Sequence, residues 1–173
     1  MLYGFDGKRP FVGEGSYVSE HALVIGDVII RDNCYIGHGA IIRGDYGAIV
    51  IGPGTAIEEG VIIHAPPGKR CEIGTRVTVG HGAVIHAGKI EDFAVIGMGA
   101  IVSLYSEIGA YTIVAEGAVV RMRQKIPANA VAGGNPAKVI RSVNEKDLEF
   151  WKRGKEIYVN LAAKYLNSGM EKL

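Results

Sequence analysis

Five histidines occur in this chain, at positions 21, 38, 64, 81 and 86, and the last three fall close together. Neutral imidazole is the commonest side-chain ligand of a transition metal. Three histidines that leave a fourth position open form a catalytic zinc geometry, in which bound water becomes a nucleophile. Glu58 and Glu59 bring two carboxylates just before His64. His21 and His38 are read as surface residues. Cys34 and Cys71 are too few for a disulfide framework or a four-cysteine zinc site. Cys34 is read as a small inward residue and Cys71 as part of a loop.

Whether His64, His81 and His86 can meet depends on the elements that carry them. The chain has 25 glycines against 6 prolines without a collagen period, which calls for a search for repeats. Stepping by six from Val12 meets Val18, Val24, Ile30, Ile36 and Ile42. The frame resumes at Ile51, Ile57 and Ile63, then Ile73, Val79 and Ile85, then Ile90 and every sixth residue to Ile126. All nineteen positions are Ile or Val, and four residues further on fifteen of the nineteen are Ala, Ser, Thr, Cys or Val. The residue directly after the inward aliphatic is Gly in seven cases.

This is the hexapeptide signature of a parallel β-helix, with the β-branched residue pointing inward at each short strand. Three hexapeptides make one triangular coil of the left-handed form, so nineteen predict about six coils spaced about 4.8 Å apart. The frame breaks three times. Three extra residues loop out near Tyr46-Gly47-Ala48, four loop out within positions 65–70, and the step from Ile85 to Ile90 is one residue short. Such breaks mark corners on a functional edge. After Arg141 the period becomes helical, with a capping box read at Ser142-Val143-Asn144-Glu145 and one amphipathic helix over about 144–167. The chain is read as a single domain, 1–173, with the β-helix over about 12–131.

The phase also sorts the histidines. Arg43, His64 and His86 each follow an inward residue, three repeats apart, and form a column on one face. His81 belongs to another column, above Glu59 and His38, with Glu58 beside it. One chain would struggle to bring all three histidines to one ion. A cyclic homotrimer would do it, joining the His64/His86 edge of one subunit to the His81 edge of the next.

Lys plus Arg is 19 against Asp plus Glu 18, so nothing electrostatic predicts a nucleic-acid or membrane partner. The N-terminus has no secretory signal pattern and no apolar run is long enough to span a bilayer. A cytoplasmic protein is the expectation.

Several segments in order resemble the γ-class carbonic anhydrase and anhydrase-like family. They are Gly26-Asp27-Val28, Arg43-Gly44-Asp45, Ile62-Ile63-His64, Val79-Gly80-His81-Gly82-Ala83-Val84-Ile85-His86, Ile96-Gly97-Met98-Gly99-Ala100 and Gly133-Gly134-Asn135-Pro136-Ala137-Lys138. The resemblance covers about residues 10–165. It implies a left-handed β-helical trimer with a metal at each interface, usually zinc, with iron or cobalt also serving. His64 and His86 would ligate from one chain and His81 from its neighbour. It further implies an interface role for Arg43, paired with an acid of the adjacent subunit, and an orienting role for Asp45. The family commonly carries Asn-x-Gln-Asp before the first metal histidine, where this chain has Ala56-Ile57-Glu58-Glu59. Ala56 removes a polar group, Glu58 puts a carboxylate near the metal water, and Glu59 keeps an acid able to pair with Arg43. A glutamate that serves as proton shuttle after the first histidine is replaced by Ala65-Pro66-Pro67-Gly68. Tyr158 is either the family's active-site tyrosine or a core aromatic.

The activity implied is reversible hydration of carbon dioxide to bicarbonate. Glu58 could accept the water proton, or raise the water pKa, or ligate the metal and block it. Two other functions stay open. One is acyl-CoA thioesterase or acyltransferase chemistry, which hexapeptide β-helices also support. The other is an assembly protein that keeps the fold with little catalysis.

Overall fold

The computed structural model describes residues 1–86 and 88–171. It is a left-handed parallel β-helix of about seven turns with one C-terminal helix packed on it. The hexapeptide frame fixes the core. Every inward Ile or Val from Val24 to Ile126 is buried, and Val12 and Val18 pack partly exposed at the N-terminal end. Burying each such side chain contributes about 1.5–3 kcal/mol relative to exposure.

Three faces follow from the pairing. The first stacks Ile41–Arg43 on Ile62–His64, then Val84–Ile85, Ile101–Val102 and Val119–Val120. The second stacks Ile49–Ile51 on Cys71–Ile73, then Lys89–Ile90, Glu107–Ile108 and Lys125–Ile126. The third runs from Tyr17–Val18 through Tyr35–Ile36, Ala56–Ile57, Thr78–Val79, Val95–Ile96 and Ile113–Val114 to Val131–Ala132. Strands Leu23–Ile30 and Ile41–Ile51 run unbroken round one corner and join the first two faces.

The extra turn comes from the N-terminus. Leu2 and Tyr3 pair with Val24 and Ile25. At the other end Lys138–Ser142 returns antiparallel on Ala130–Gly133, which covers an open sheet edge. At most corners the residue three after the inward one takes the left-handed conformation. One corner fills it with Gly39, Gly60, Gly82, Gly99 and Gly117, another partly with Arg76, Phe93 and Tyr111.

The first two insertions fall where the frame breaks. Gly26 pairs with Gly44 and Val28 with Ile49, so three extra residues bulge between them. They meet the second insertion: Gly68 N–H donates to the Tyr46 carbonyl at 2.9 Å. Gly47 lies so close that a Cβ there would sit 2.3 Å from the Pro66 carbonyl oxygen. The one-residue shortening lies between Ile85 and Ile90, where Ala87 is outside the described residues. Cys71 is not in a loop. The insertion ends at Lys69, so Cys71 lies in strand Arg70–Ile73 with an inward, fully buried thiol.

The helix runs Glu145–Ser168. Its capping box is Asn144 with Asp147, two residues later than expected, because Ser142 ends the antiparallel strand. Its inner side packs Ala162, Tyr158, Leu161 and Tyr165 against Tyr17, Tyr35 and Ala56 of the third face. The apolar spacing also hides Lys155 between Trp151 and Tyr158. Lys155 is 5% exposed and donates to Thr78 Oγ1 at 3.2 Å and the Ala94 carbonyl at 3.1 Å.

Burial pushes the Lys155 ammonium down to about 7, with the Arg76 charge adding and Glu58 opposing. A lysine in the unfolded chain titrates near 10.4. Between these values the unfolded chain binds more protons here than the native one, so this site makes stability rise with pH. Below about pH 7 both states are protonated and the contribution is flat at its least favourable. Urea unfolding from pH 7 to 9 is expected to show that rise, at most about 1.4 kcal/mol per pH unit. Lys155→Met should flatten it; parallel curves for the two proteins would remove Lys155 as the source.

Candidate metal centre

Arg43 lies beside His64 in parallel register, and Ile63 pairs with Ile85, which puts His86 one coil further along. Each follows an inward residue, so each side chain projects from the first face. The His64 and His86 ring centroids are 4.9 Å apart. Asp45, in the insertion bulge, accepts from both flanking groups. Its Oδ1 lies 2.9 Å from His64 Nε2, and its Oδ2 accepts from Arg43 Nη1. Burial works against the Asp45 charge, but the His64 and Arg43 hydrogen bonds outweigh it and hold the carboxyl below its usual range.

His86 is different. Burial lowers its pKa, with the His64 and Arg43 charges adding, so it stands as a neutral imidazole at pH 7. Among the described residues its Nε2 is buried without a hydrogen-bond partner. A buried polar atom left unpaired costs about 1–3 kcal/mol, and nearly all such atoms in native proteins are satisfied. A neutral ring nitrogen aimed into a polar site beside a second imidazole is what a metal ligand requires. The residues present therefore fit a divalent transition metal.

His81 sits in the turn after Thr78–Val79, at the corner of the third face. The stack beneath it is Glu59 and then His38, tied by Gly82 N–H to the Glu59 carbonyl and Gly60 N–H to the His38 carbonyl. Glu58 is 5% exposed; its Oε2 accepts the His81 backbone N–H at 3.1 Å and faces His81 Nε2 at 3.1 Å. Glu59 Oε2 lies 2.8 Å from His81 Nδ1, and its Oε1 accepts from the Tyr35 hydroxyl at 2.6 Å. The two acids diverge. Burial pushes Glu58 up, only partly offset by the Tyr158 hydroxyl and His81. Burial also opposes the charge on Glu59, but the Tyr35 hydroxyl leads the groups that hold it down.

Tyr158 faces Glu58 and also packs 5.4 Å from the Tyr35 ring, so it is both site-facing and core. Ala56 is buried under the helix with Tyr35 and Ala162. His38 is not simply a surface residue: its Nδ1 lies 2.6 Å from Ser19 Oγ and its ring edges against Tyr165. His21 is exposed beside Glu20. Among the described residues of one chain, no three His, Cys, Asp or Glu side chains are placed to hold one ion. His64 and His86 share a face, and His81 does not join them.

Sequence reasoning missed Tyr35 and Lys155. Tyr35 precedes an inward Ile in the strand one coil below Ala56–Ile57, which was enough to place it near Glu59. Lys155 fills the one vacancy in the helical stripe between Trp151 and Tyr158.

No family model matches the chain. Individual relatives do. A carbonic anhydrase of Geobacillus kaustophilus is 34% identical over 165 residues, covering 95% of this chain and 91% of that one. The mitochondrial γ carbonic anhydrase 2 of Arabidopsis thaliana is 37% identical over 94% of this chain. This chain belongs to the γ-class carbonic anhydrase family. It spans about 60% of the length of the plant relatives it matches. In three dimensions it is similar to a Bacillus cereus protein provisionally named as an acetyltransferase, with TM-score 0.91, 30% identity and 95% of each chain covered. This γ-class chain thus shares its architecture with proteins assigned to acyl transfer.

Proposed function

We propose that this chain is a metal-dependent carbonic anhydrase that interconverts carbon dioxide and bicarbonate at the interfaces of a homotrimer. The observation that carries the reading is the buried, unpartnered Nε2 of His86 beside His64. His64 and His86 of one subunit and His81 of the next would hold the metal, with zinc the first choice and iron or cobalt as alternatives. When bound, the metal supplies the positive charge that brings the pKa of water from 15.7 toward about 7, as zinc does in carbonic anhydrases.

The chain's own residues do the rest. Asp45, anchored by Arg43, fixes the His64 ring, and neighbouring groups of this kind typically contribute about 10–100-fold in metal affinity or activity. Glu59 and Tyr35 orient His81 through Nδ1, and its Nε2 gives up Glu58 to serve as ligand. Glu58, so released, is the proton acceptor at Oε2. Glu58→Gln should lower carbon dioxide hydration about 10-fold in dilute buffer, with metal content unchanged and rate recovered in concentrated imidazole buffer. A faster variant would show that the carboxylate obstructs the site instead.

The trimer is supported by an apolar ladder on the histidine face. Ile62, Val84 and Ile101 point outward in direct register and are 41%, 37% and 42% exposed. Exposed aliphatics aligned beside a polar site mark an association surface. No described helix is long and apolar enough to cross a membrane. The cytoplasmic reading is supported by two buried free thiols, Cys34 and Cys71, which suit a reducing compartment.

The test is stopped-flow carbon dioxide hydration on metal-reconstituted protein, against its metal-free form. Equal rates would overturn the reading. The Bacillus cereus likeness favours one alternative, acyl-CoA chemistry, and thioester hydrolysis by the same preparation would then replace it.

A further inference from the structure

A cavity of about 270 Å³ lies between the first half of the helix and the third face, apart from the paired His64 and His86 of the first face. That is close to the roughly 300–1,000 Å³ of small-molecule pockets. Its walls are apolar. Val95 and Ile113 form the floor, Phe93 and Tyr111 stack flush at 4.8 Å along one side, and Leu148 and Trp151 descend from the helix. Phe93 and Tyr111 hold left-handed backbone at φ 60° and 56°. That is the turn position this corner repeats from Arg76 onward, and it sets the two rings in line along the cavity edge.

The charges are one-sided. Arg76, Lys152 and Lys155 line the cavity, and among the described residues none of them makes an ion pair. The one acid in the lining, Asp147, has both carboxylate oxygens held by Arg141. Lys155 uses two donors on Thr78 and Ala94, which leaves a third. A buried ammonium is costly, Glu58 offsets burial and the Arg76 charge only in part, and a carboxylate entering beside Lys155 would reduce what is left.

We propose that this cavity binds a small carboxylic acid, its carboxylate on Lys155 and its apolar tail between the Phe93–Tyr111 stack and Trp151. A neutral isostere would bind much more weakly, because it cannot pair with the cations.

Trp151 is the only tryptophan in the chain and reports directly on the cavity. Titrating the intact protein with hexanoate at pH 7 should change its emission saturably. Hexanamide should bind about ten-fold or more weakly, the range expected for losing a charge-assisted hydrogen bond. Lys155→Met should remove that preference. Val143→Phe, which fills the cavity from the segment before the helix and keeps Lys155, should abolish the response. No saturable change, equal response to hexanamide, or an unaltered preference in Lys155→Met would each overturn the assignment.

Discussion

Replacing His86 by alanine is expected to reduce carbon dioxide hydration to the metal-free rate and to leave the protein without bound metal. The fold should survive, because the His86 side chain projects outward while Ile85 supplies the core contact. The loss should exceed the roughly 10–100-fold that altering a neighbouring hydrogen-bond partner costs, since a ligand itself is gone. The substitution also removes a buried, unpaired nitrogen, so thermal stability without metal should be unchanged or slightly higher. Metal analysis, melting temperature and stopped-flow rate on one preparation check all three. Stoichiometric metal retained in His86→Ala would eliminate His86 as a ligand.

The second large effect is complementation between two inactive proteins. His81→Ala should be as inactive as His86→Ala, although the two residues occupy different faces of one chain. Each protein alone lacks one ligand at every interface. In a mixed trimer, an intact site forms wherever a subunit with His64 and His86 meets a neighbour that retains His81. Random assembly from equal amounts makes about one site in four intact, so activity should return to about a quarter of the unmodified level after unfolding and refolding together. Either variant refolded alone should stay inactive. If mixing restores nothing while both variants form trimers, the ligands are not shared between subunits. If the protein sediments as a strict monomer, the interface site itself fails.

Much of this molecule was legible in its residues. The six-residue spacing from Val12 to Ile126, broken only by three insertions or deletions, specifies a coil, because only a period commensurate with three short strands returns every β-branched residue to one interior. The same arithmetic placed Arg43 beside His64 and stacked His81 on Glu59, since register in a solenoid follows from counting. The insertions at Tyr46–Ala48 and after His64 were visible as breaks in that count. What escaped is what counting along one coil does not encode. The end caps, Leu2–Tyr3 and Lys138–Ser142, carry no hexapeptide signal and pair only because sheet edges offer unpaired backbone. The capping box fell at Asn144 and Asp147 because that closing strand had already taken Ser142.

The site divides in the same way. Sequence alone determined which side chains share a column and that His81 stands apart from His64 and His86. Only the tertiary structure decided their chemical states. His86 Nε2 lost its solvent and met no partner among the described residues, Asp45 was fixed between Arg43 and His64, and Glu58 was buried while Glu59 met Tyr35. It also decided that Lys155 enters the interior with a cavity beside it. The reason is physical: spacing sets direction and register, whereas protonation, burial and cavities depend on which elements from distant parts of the chain close over a side chain.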